Sequence, residues 1–301
     1  MTRRKWATAL IGFAASRAAE AVVRWPHSFR VNWGHPLLAY NPSNLLGCWV
    51  FSQAIPYDLT GRNGYLSGIT AEFSGGAFGP GLRFSGGTEA VLKGSGPIAG
   101  GLSNWTIIAG IQTTAATSPS GRPVYSERAA SGFDILNLQT MVDSVGTNQV
   151  VLTYRNDAGT LYRLAGSKVL NDGRVHQVII TKGGLEAATS SRGFHNYTDG
   201  ALDDAFESGS VPTNDNFTDA GVETWVGGDK GDATAQFEGI INYIFVLGTA
   251  LPVEPIDARA NAVVKELAAN PFSFLEHKPT TSFFGGSGFP SGILNNPILV
   301  R

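Results

Sequence analysis

Hydrophobic and polar positions alternate in short runs along most of this chain, and Gly, Asn, Asp, Ser and Thr separate the runs. Between Leu45 and about Leu251 they include GCWVFS, GLRFSG, TEAVLKG, NWTIIAGIQTT, FDILNLQ, QVVLTYRND, TLYRLAG, RVHQVIITK, FHNYTDG, VETWVGG and FEGIINYIFVLG. A period of two places successive side chains on opposite faces of a strand. In RVHQVIITK, Val175, Gln177, Ile179 and Thr181 share one face, and His176, Val178 and Ile180 share the other. In QVVLTYRNDAGTLYRLA, Asn156-Asp157-Ala158-Gly159 supply a turn whose glycine suits a left-handed backbone, which predicts a hairpin. Many short strands punctuated by turns predict an all-β fold, an antiparallel sandwich.

The helical period appears only at the two ends. Residues 5–24 read as an amphipathic helix, with Leu10, Phe13 and Ala14 on one face and arginines on another. Arg3, Arg4 and Lys5 ahead of WATALIGFAAS also imitate a bacterial signal peptide. The run is too short and too charged to span a bilayer. Near the other end, Ile256, Ala260, Val263, Val264 and Leu267 form a stripe that Asn270-Pro271 terminates. These patterns divide the chain into a helix and extended arm over residues 1–44, a sandwich over 45–252, and a short helix with a Phe-, Gly- and Pro-rich tail over 253–301.

The arm carries prolines at 26, 36 and 42, which forbid regular structure, and the aromatics Trp25, Phe29, Trp33 and Tyr40, which need a covering surface. Phe272 and Phe274 open the tail with the same need. Either the ends fold onto their own domain or they pack on another subunit, as an assembly arm would.

Composition narrows the picture. The 301 residues carry 38 glycines, and only 15% are charged, with 22 basic against 24 acidic. No basic patch of nucleic-acid-binding or membrane-binding size stands out. The single Cys48 has no partner for an internal disulfide and reads as a small buried hydrophobe.

Four places, in order, resemble the laminin-G-like, concanavalin A-like jelly-roll family. LLGCWVFS with YDLTGRNGYLSG is similar to its opening strand and turn, and FGPGLRFSGGTEAVL to a hairpin that follows. NDGRVHQVIITK with YTDGALD is similar to its histidine strand and Asp-Gly hairpin, and WVGGDKGDATAQFEGIINYIFVLGTAL to its closing strand. The resemblance implies that His176 is a structural strand residue and not a catalytic base. Calcium sites in relatives use carboxylates, so Asp58, Asn63 and Asp229 are the oxygen ligands at hand for a calcium ion, although turn-capping is the simpler role for them. Here Val175 stands where the family has tryptophan, and Asn242 where an acid is common. The flanks HPLLAYNPSNLLGCWVF and VVKELAANPFSFLEHKP resemble those of tailed-bacteriophage virion proteins that carry this module.

Enzymatic chemistry has little support in the residues. Glycosidases on such folds need paired carboxylates, and the dense acids of ALDDAFE and NDNFTDAGVE sit in turn-rich stretches that read as solvated loops. No nucleophile elbow, phosphate-binding loop or zinc spacing is present. Binding fits better: Trp105, Tyr125, Tyr154, Tyr162 and Trp225 are aromatic candidates to stack on sugar rings, although packing in the core is the simpler role for most of them. The expectation is therefore a non-enzymatic virion structural protein, made in the host cytoplasm, whose flanks tie a lectin-like sandwich to other capsid or tail subunits as a homo-oligomer. Host-surface glycan is its candidate ligand, with no cofactor unless calcium. The alternative is a carbohydrate-binding module of a bacterial surface protein; a glycan hydrolase or lyase ranks behind both.

Overall fold

The computed structural model describes residues 29–35, 38, 44–51, 57–64, 66–67, 72–76, 79–86, 90–92, 96–115, 121–129, 134–142, 148–183, 193–210, 212, 215–229, 236–250, 265–266, 268–270, 273 and 275–277. The strands begin with β1 (Phe29–Val31), β2 (Leu45–Val50), β3 (Leu66–Ser67), β4 (Glu72–Gly76), β5 (Gly79–Ser85) and β6 (Ala90–Leu92). They continue with β7 (Trp105–Gln112), β8 (Arg122–Arg128), β9 (Ile135–Val142), β10 (Asn148–Arg155), β11 (Leu161–Ala165) and β12 (Val175–Lys182). The last are β13 (Phe194–Thr198), β14 (Ala201–Leu202), β15 (Phe206–Gly209), β16 (Glu223–Val226), β17 (Glu238–Leu247) and β18 (Leu275–His277).

Sixteen of these strands form two antiparallel sheets that make a sandwich, and β1 and β18 form a separate pair. The first sheet has the order β15-β11-β10-β9-β8-β16-β6-β3; the second has the order β14-β13-β12-β7-β17-β5-β4, with β2 also paired to β17. The expected hairpin is β10–β11: Gly159, at φ 78°, closes the turn, and its N–H donates to the Asn156 carbonyl at 2.9 Å.

The period of two decides which face each residue serves. Val178 and Ile180 of β12 meet Ile107, Ala109 and Ile111 of β7 in the core between the sheets. Their neighbours Ile179 and Ile108 belong to a separate cluster on the other side of the second sheet, with Tyr197, Tyr243 and Phe245. The second sheet is thus apolar on both faces, which is why WTIIAGI and IINYIFVL read as nearly unbroken hydrophobic runs. Gly110 belongs to the same design: a Cβ there would lie 2.3 Å from the ring of Tyr243, which crosses the β7 backbone at this point.

A sheet face of that kind needs cover, and the flanks supply it. Val31, 3% exposed, and Leu38, 0% exposed, join Cys48, Val50, Ile108, Ile179 and Phe245 in the outer cluster, with Leu275 packed against them. β1 pairs with β18, Phe29 opposite His277 and Val31 opposite Leu275, so the two ends of the chain hold each other over this face. Asn32 Nδ2 donates to the Ser273 carbonyl and His35 bonds Ser273 Oγ at 3.1 Å. Of the two alternatives for the arm, Val31 and Leu38 follow the first and pack on their own domain, because leaving the outer cluster wet would forgo roughly 25 cal/mol for each Å² of apolar surface. Trp33 is the exception, 42% exposed.

Residues 265–266 and 268–269 are helical, and Asn270 N–H bonds the Glu266 carbonyl at 2.7 Å, in keeping with the C-terminal helix and its stop. The expected N-terminal helix, Trp25, Tyr40, Phe272, Phe274 and the tail beyond residue 277 lie outside the described residues. Among the described residues no helix is long and apolar enough to cross a membrane.

Candidate functional site

With one outer face covered by the flanks, the outer face of the first sheet becomes the broad surface of interest. Register builds it strand by strand. Trp225 of β16 lies opposite Ser126 of β8, Ser126 opposite Asn137 of β9, Asn137 opposite Thr153 of β10, Thr153 opposite Arg163 of β11, and Arg163 opposite Ser208 of β15. Every member of this row has the parity opposite to the core residues Tyr125, Leu136, Leu138, Leu152, Tyr154, Tyr162, Leu164 and Val226. A second row, two residues away on each strand, holds Glu223, Arg128, Ile135, Arg155 and Leu161.

Hydrogen bonds fix the middle of this face. Asp229 accepts from Arg128 Nη1 at 2.5 Å and from Asn137 Nδ2 at 3.3 Å. Ser126 Oγ donates to the Gly228 carbonyl at 3.0 Å, and Gln139 Nε2 to Thr153 Oγ1 at 3.2 Å. Several buried polar atoms on the face lack a hydrogen-bond partner: Asn137 Oδ1, Trp225 Nε1, Arg155 Nε and Arg163 Nε. Such atoms are uncommon in native proteins and ask for an explanation. The face thus combines an indole, an amide held by a carboxylate and guanidinium groups, which can hydrogen-bond and stack.

The aromatic candidates divide. Trp105, Tyr125, Tyr154 and Tyr162 are at most 2% exposed and sit in the core, where Tyr154 and Tyr162 pack on Phe194 with ring centroids 5.2 and 4.7 Å apart, and Trp105 lies 6.3 Å from Tyr154. As sugar platforms these four are corrected: their rings point between the sheets, where the period of two directs them. Trp225 alone points outward, 9% exposed.

The metal candidates are engaged by protein donors. Asp58, 0% exposed, accepts from Cys48 N and Thr60 N with one carboxylate oxygen, and from Thr60 Oγ1, Arg62 N, Asn63 N and Asn63 Nδ2 with the other. Six donors fill the lone pairs a cation would need, and the pair staples a turn to β2. Asp229 is on the other sheet, bonded to Arg128. Among the described residues no group of three or more His, Cys, Asp or Glu side chains is arranged to hold a metal ion.

His176 answers to structure. Its Nδ1 meets Asp199 at 2.9 Å and its Nε2 meets Asp172 at 3.0 Å, so both ring nitrogens face carboxylates. The Asp199 bond, outweighing partial burial, raises the imidazole pKa; Asp199 itself is held at about 2 by His176, Lys168 and the Gln177 N–H against the opposing effect of burial. Asp199 also takes φ 52° in the tight turn before Gly200, so the histidine locks the β13–β14 turn that the Asp-Gly pair marks in the sequence. Cys48 is buried, as its apolar run implies.

Sequence reasoning missed three buried ionic features. Glu127, 0% exposed between the sheets, accepts Ala99 N at 2.8 Å, Gly100 N at 2.6 Å and Tyr125 OH at 2.5 Å, and burial pushes its carboxyl pKa up. Lys182, 6% exposed, bonds the Leu102 carbonyl and Asp215 beneath the rings of Tyr154 and Phe194. The acids expected in solvated loops are tied down too: Asp204 bonds His195 at 2.7 Å, Asp203 caps Ser167 and Lys168, and Asp219 and Asp134 exchange backbone bonds. No periodic signal marks a loop acid that will meet a partner far along the chain.

No family model and no curated protein sequence matches the chain. Solved structures do. Domain 4 of AbnA, an extracellular GH43 arabinanase from Geobacillus stearothermophilus in complex with arabinotriose, superposes with a TM-score of 0.54 at 14% identity, covering 75% of this chain and 98% of that one. A sialidase from Trypanosoma rangeli gives 0.50 at 16% identity, over 77% of this chain and 33% of that one. The CBM40 of the Ruminococcus gnavus IT-sialidase, bound to α2,3 sialyllactose, gives 0.47 at 20% identity, over 61% and 95%. At these identities the first two establish the fold alone, a β-sandwich.

Proposed function

We propose that the chain is a non-catalytic carbohydrate-binding module whose site is the outer face of the first sheet, around Trp225, Asn137 and the Arg128–Asp229 pair. The carrying observation is the set of outward polar atoms without hydrogen-bond partners, Asn137 Oδ1 and Trp225 Nε1 foremost, beside a guanidinium–carboxylate pair that holds the amide in place. Hydroxyl groups of a sugar supply both donors and acceptors to such a set, and an indole edge contributes apolar contact. The arabinotriose-bound arabinanase domain, which has this fold, supports the reading. Screening the full-length protein on an oligosaccharide array, then titrating the best ligand calorimetrically, tests it. Trp225→Ala and Asn137→Ala should each weaken binding at least tenfold with the fold intact by circular dichroism; an array without any bound saccharide rejects it.

Attachment to a larger assembly, as in a phage particle, rests on Trp33, which is 42% exposed beside the buried Val31. Co-sedimentation with purified virions, reduced by Trp33→Ala, would support that second role, and wild-type protein that stays in the supernatant would reject it.

A further inference from the structure

On the reading that the first sheet binds saccharide, we infer that its ligand is anionic and that Arg155 and Arg163 receive the charge. Arg155 lies opposite Leu161 and Arg163 opposite Thr153, so the two are diagonal cross-strand neighbours on the outer face, with backbones roughly 7–8 Å apart. Both are partly exposed, both have a buried Nε without a hydrogen-bond partner, and neither side chain forms an ion pair or hydrogen bond with any described residue.

The acids that could have neutralised them are committed elsewhere or face elsewhere. Asp229 belongs to Arg128, and Glu223 stands opposite Arg128 on β16, four strands from β11. Asp157, two residues beyond Arg155, accepts from Thr218 Oγ1 at 3.3 Å. Glu207 of β15 is opposite Leu164, a core residue, and so has the inward parity. Two like charges side by side oppose folding, and folding of this sheet needs neither, since Thr153 and Leu161 occupy equivalent positions beside them.

Arginine presents planar donors that match an oxyanion in bidentate fashion. The pair therefore fits a carboxylate or a sulfate carried by a sugar that extends along the face toward Asn137, two strands from Arg163. This assignment rests on the two arginines and their missing counter-charges.

The test uses full-length protein and three probes: an oligogalacturonate, the same oligosaccharide with its carboxylates reduced to alcohols, and a sulfated neutral oligosaccharide. The expected result is at least tenfold tighter binding of one anionic probe than of the reduced one, weakening as salt rises, with the preferred probe identifying the anion. In the Arg155→Gln/Arg163→Gln variant the preference should disappear, the anionic probe falling to the affinity of the reduced one, and Arg155→Lys/Arg163→Lys should restore part of it. Equal binding of all probes, or a preference that survives the double Gln variant, overturns the anion assignment but leaves the carbohydrate reading standing. Absence of binding to every probe and to a neutral array removes both.

Discussion

Replacing Glu127 by Gln probes how much of this sandwich depends on one carboxylate between its sheets. The carboxylate accepts Ala99 N and Tyr125 OH on one oxygen and Gly100 N on the other, tying the loop at 96–102 to β8. An amide of the same shape has a single acceptor oxygen, so its NH₂ must confront the N–H of Ala99 or of Gly100. One backbone donor then loses its acceptor, at about 1–3 kcal/mol, and the surviving bonds lose charge assistance worth about 1 kcal/mol. Opposing this, the neutral amide escapes the burial that pushes the carboxyl pKa up. The net expectation is a loss of about 2 kcal/mol, or a fall in Tm of roughly 4–8 °C for a domain of this size. Glu127→Ala orphans all three donors and should cost about 3–5 kcal/mol. Urea unfolding followed by tryptophan fluorescence measures both as shifts in midpoint at constant m-value. A Gln variant within about 0.5 kcal/mol of wild type would refute the reasoning.

Other outcomes follow from the same structure. The His176 cluster makes stability pH-dependent on both sides: the raised imidazole pKa contributes stability that is complete below about 6.5 and lost as pH climbs through the folded value, and Asp199, at about 2 when folded, contributes above about 4 and fades as pH falls toward 2. Melting curves from pH 3 to 9 should therefore flatten on the alkaline side in His176→Ala; an unchanged profile would remove the histidine from the account. Leu38→Ala, at a fully buried position over the second sheet, should cost about 2–4 kcal/mol, whereas a change under 0.5 kcal/mol would mean that this flank does not cover the domain. Cys48, 0% exposed with its thiol pKa pushed well up by burial, should resist alkylation by iodoacetamide until the protein unfolds; rapid labelling of native protein would contradict its placement.

Much of this molecule was legible in local pattern. The alternation in RVHQVIITK assigned His176, Val178 and Ile180 to one face, and two of these enter the inter-sheet core while the third closes the Asp-Gly turn. Asn156 to Gly159 announced the β10–β11 turn because only a few residues suit its backbone. The same alternation could not tell which of a strand's two faces meets the other sheet, so it left Trp105, Tyr125, Tyr154 and Tyr162 between core packing and sugar stacking, and the structure places them in the core. Asp58 was legible as a turn acid, but its six donors were not, since one of them comes from β2 ten residues earlier.

What the sequence determined by itself is local: strand and turn, the buried cysteine, the structural histidine, because each follows from side-chain period and backbone preference within a few residues. Tertiary structure decided the rest. Only the meeting of β1 with β18 brought Val31 and Leu38 over the outer face of the second sheet. Only register across β16, β8, β9, β10 and β11 aligned Trp225, Asn137 and Arg163, residues whose separation along the chain carries no signal of their proximity.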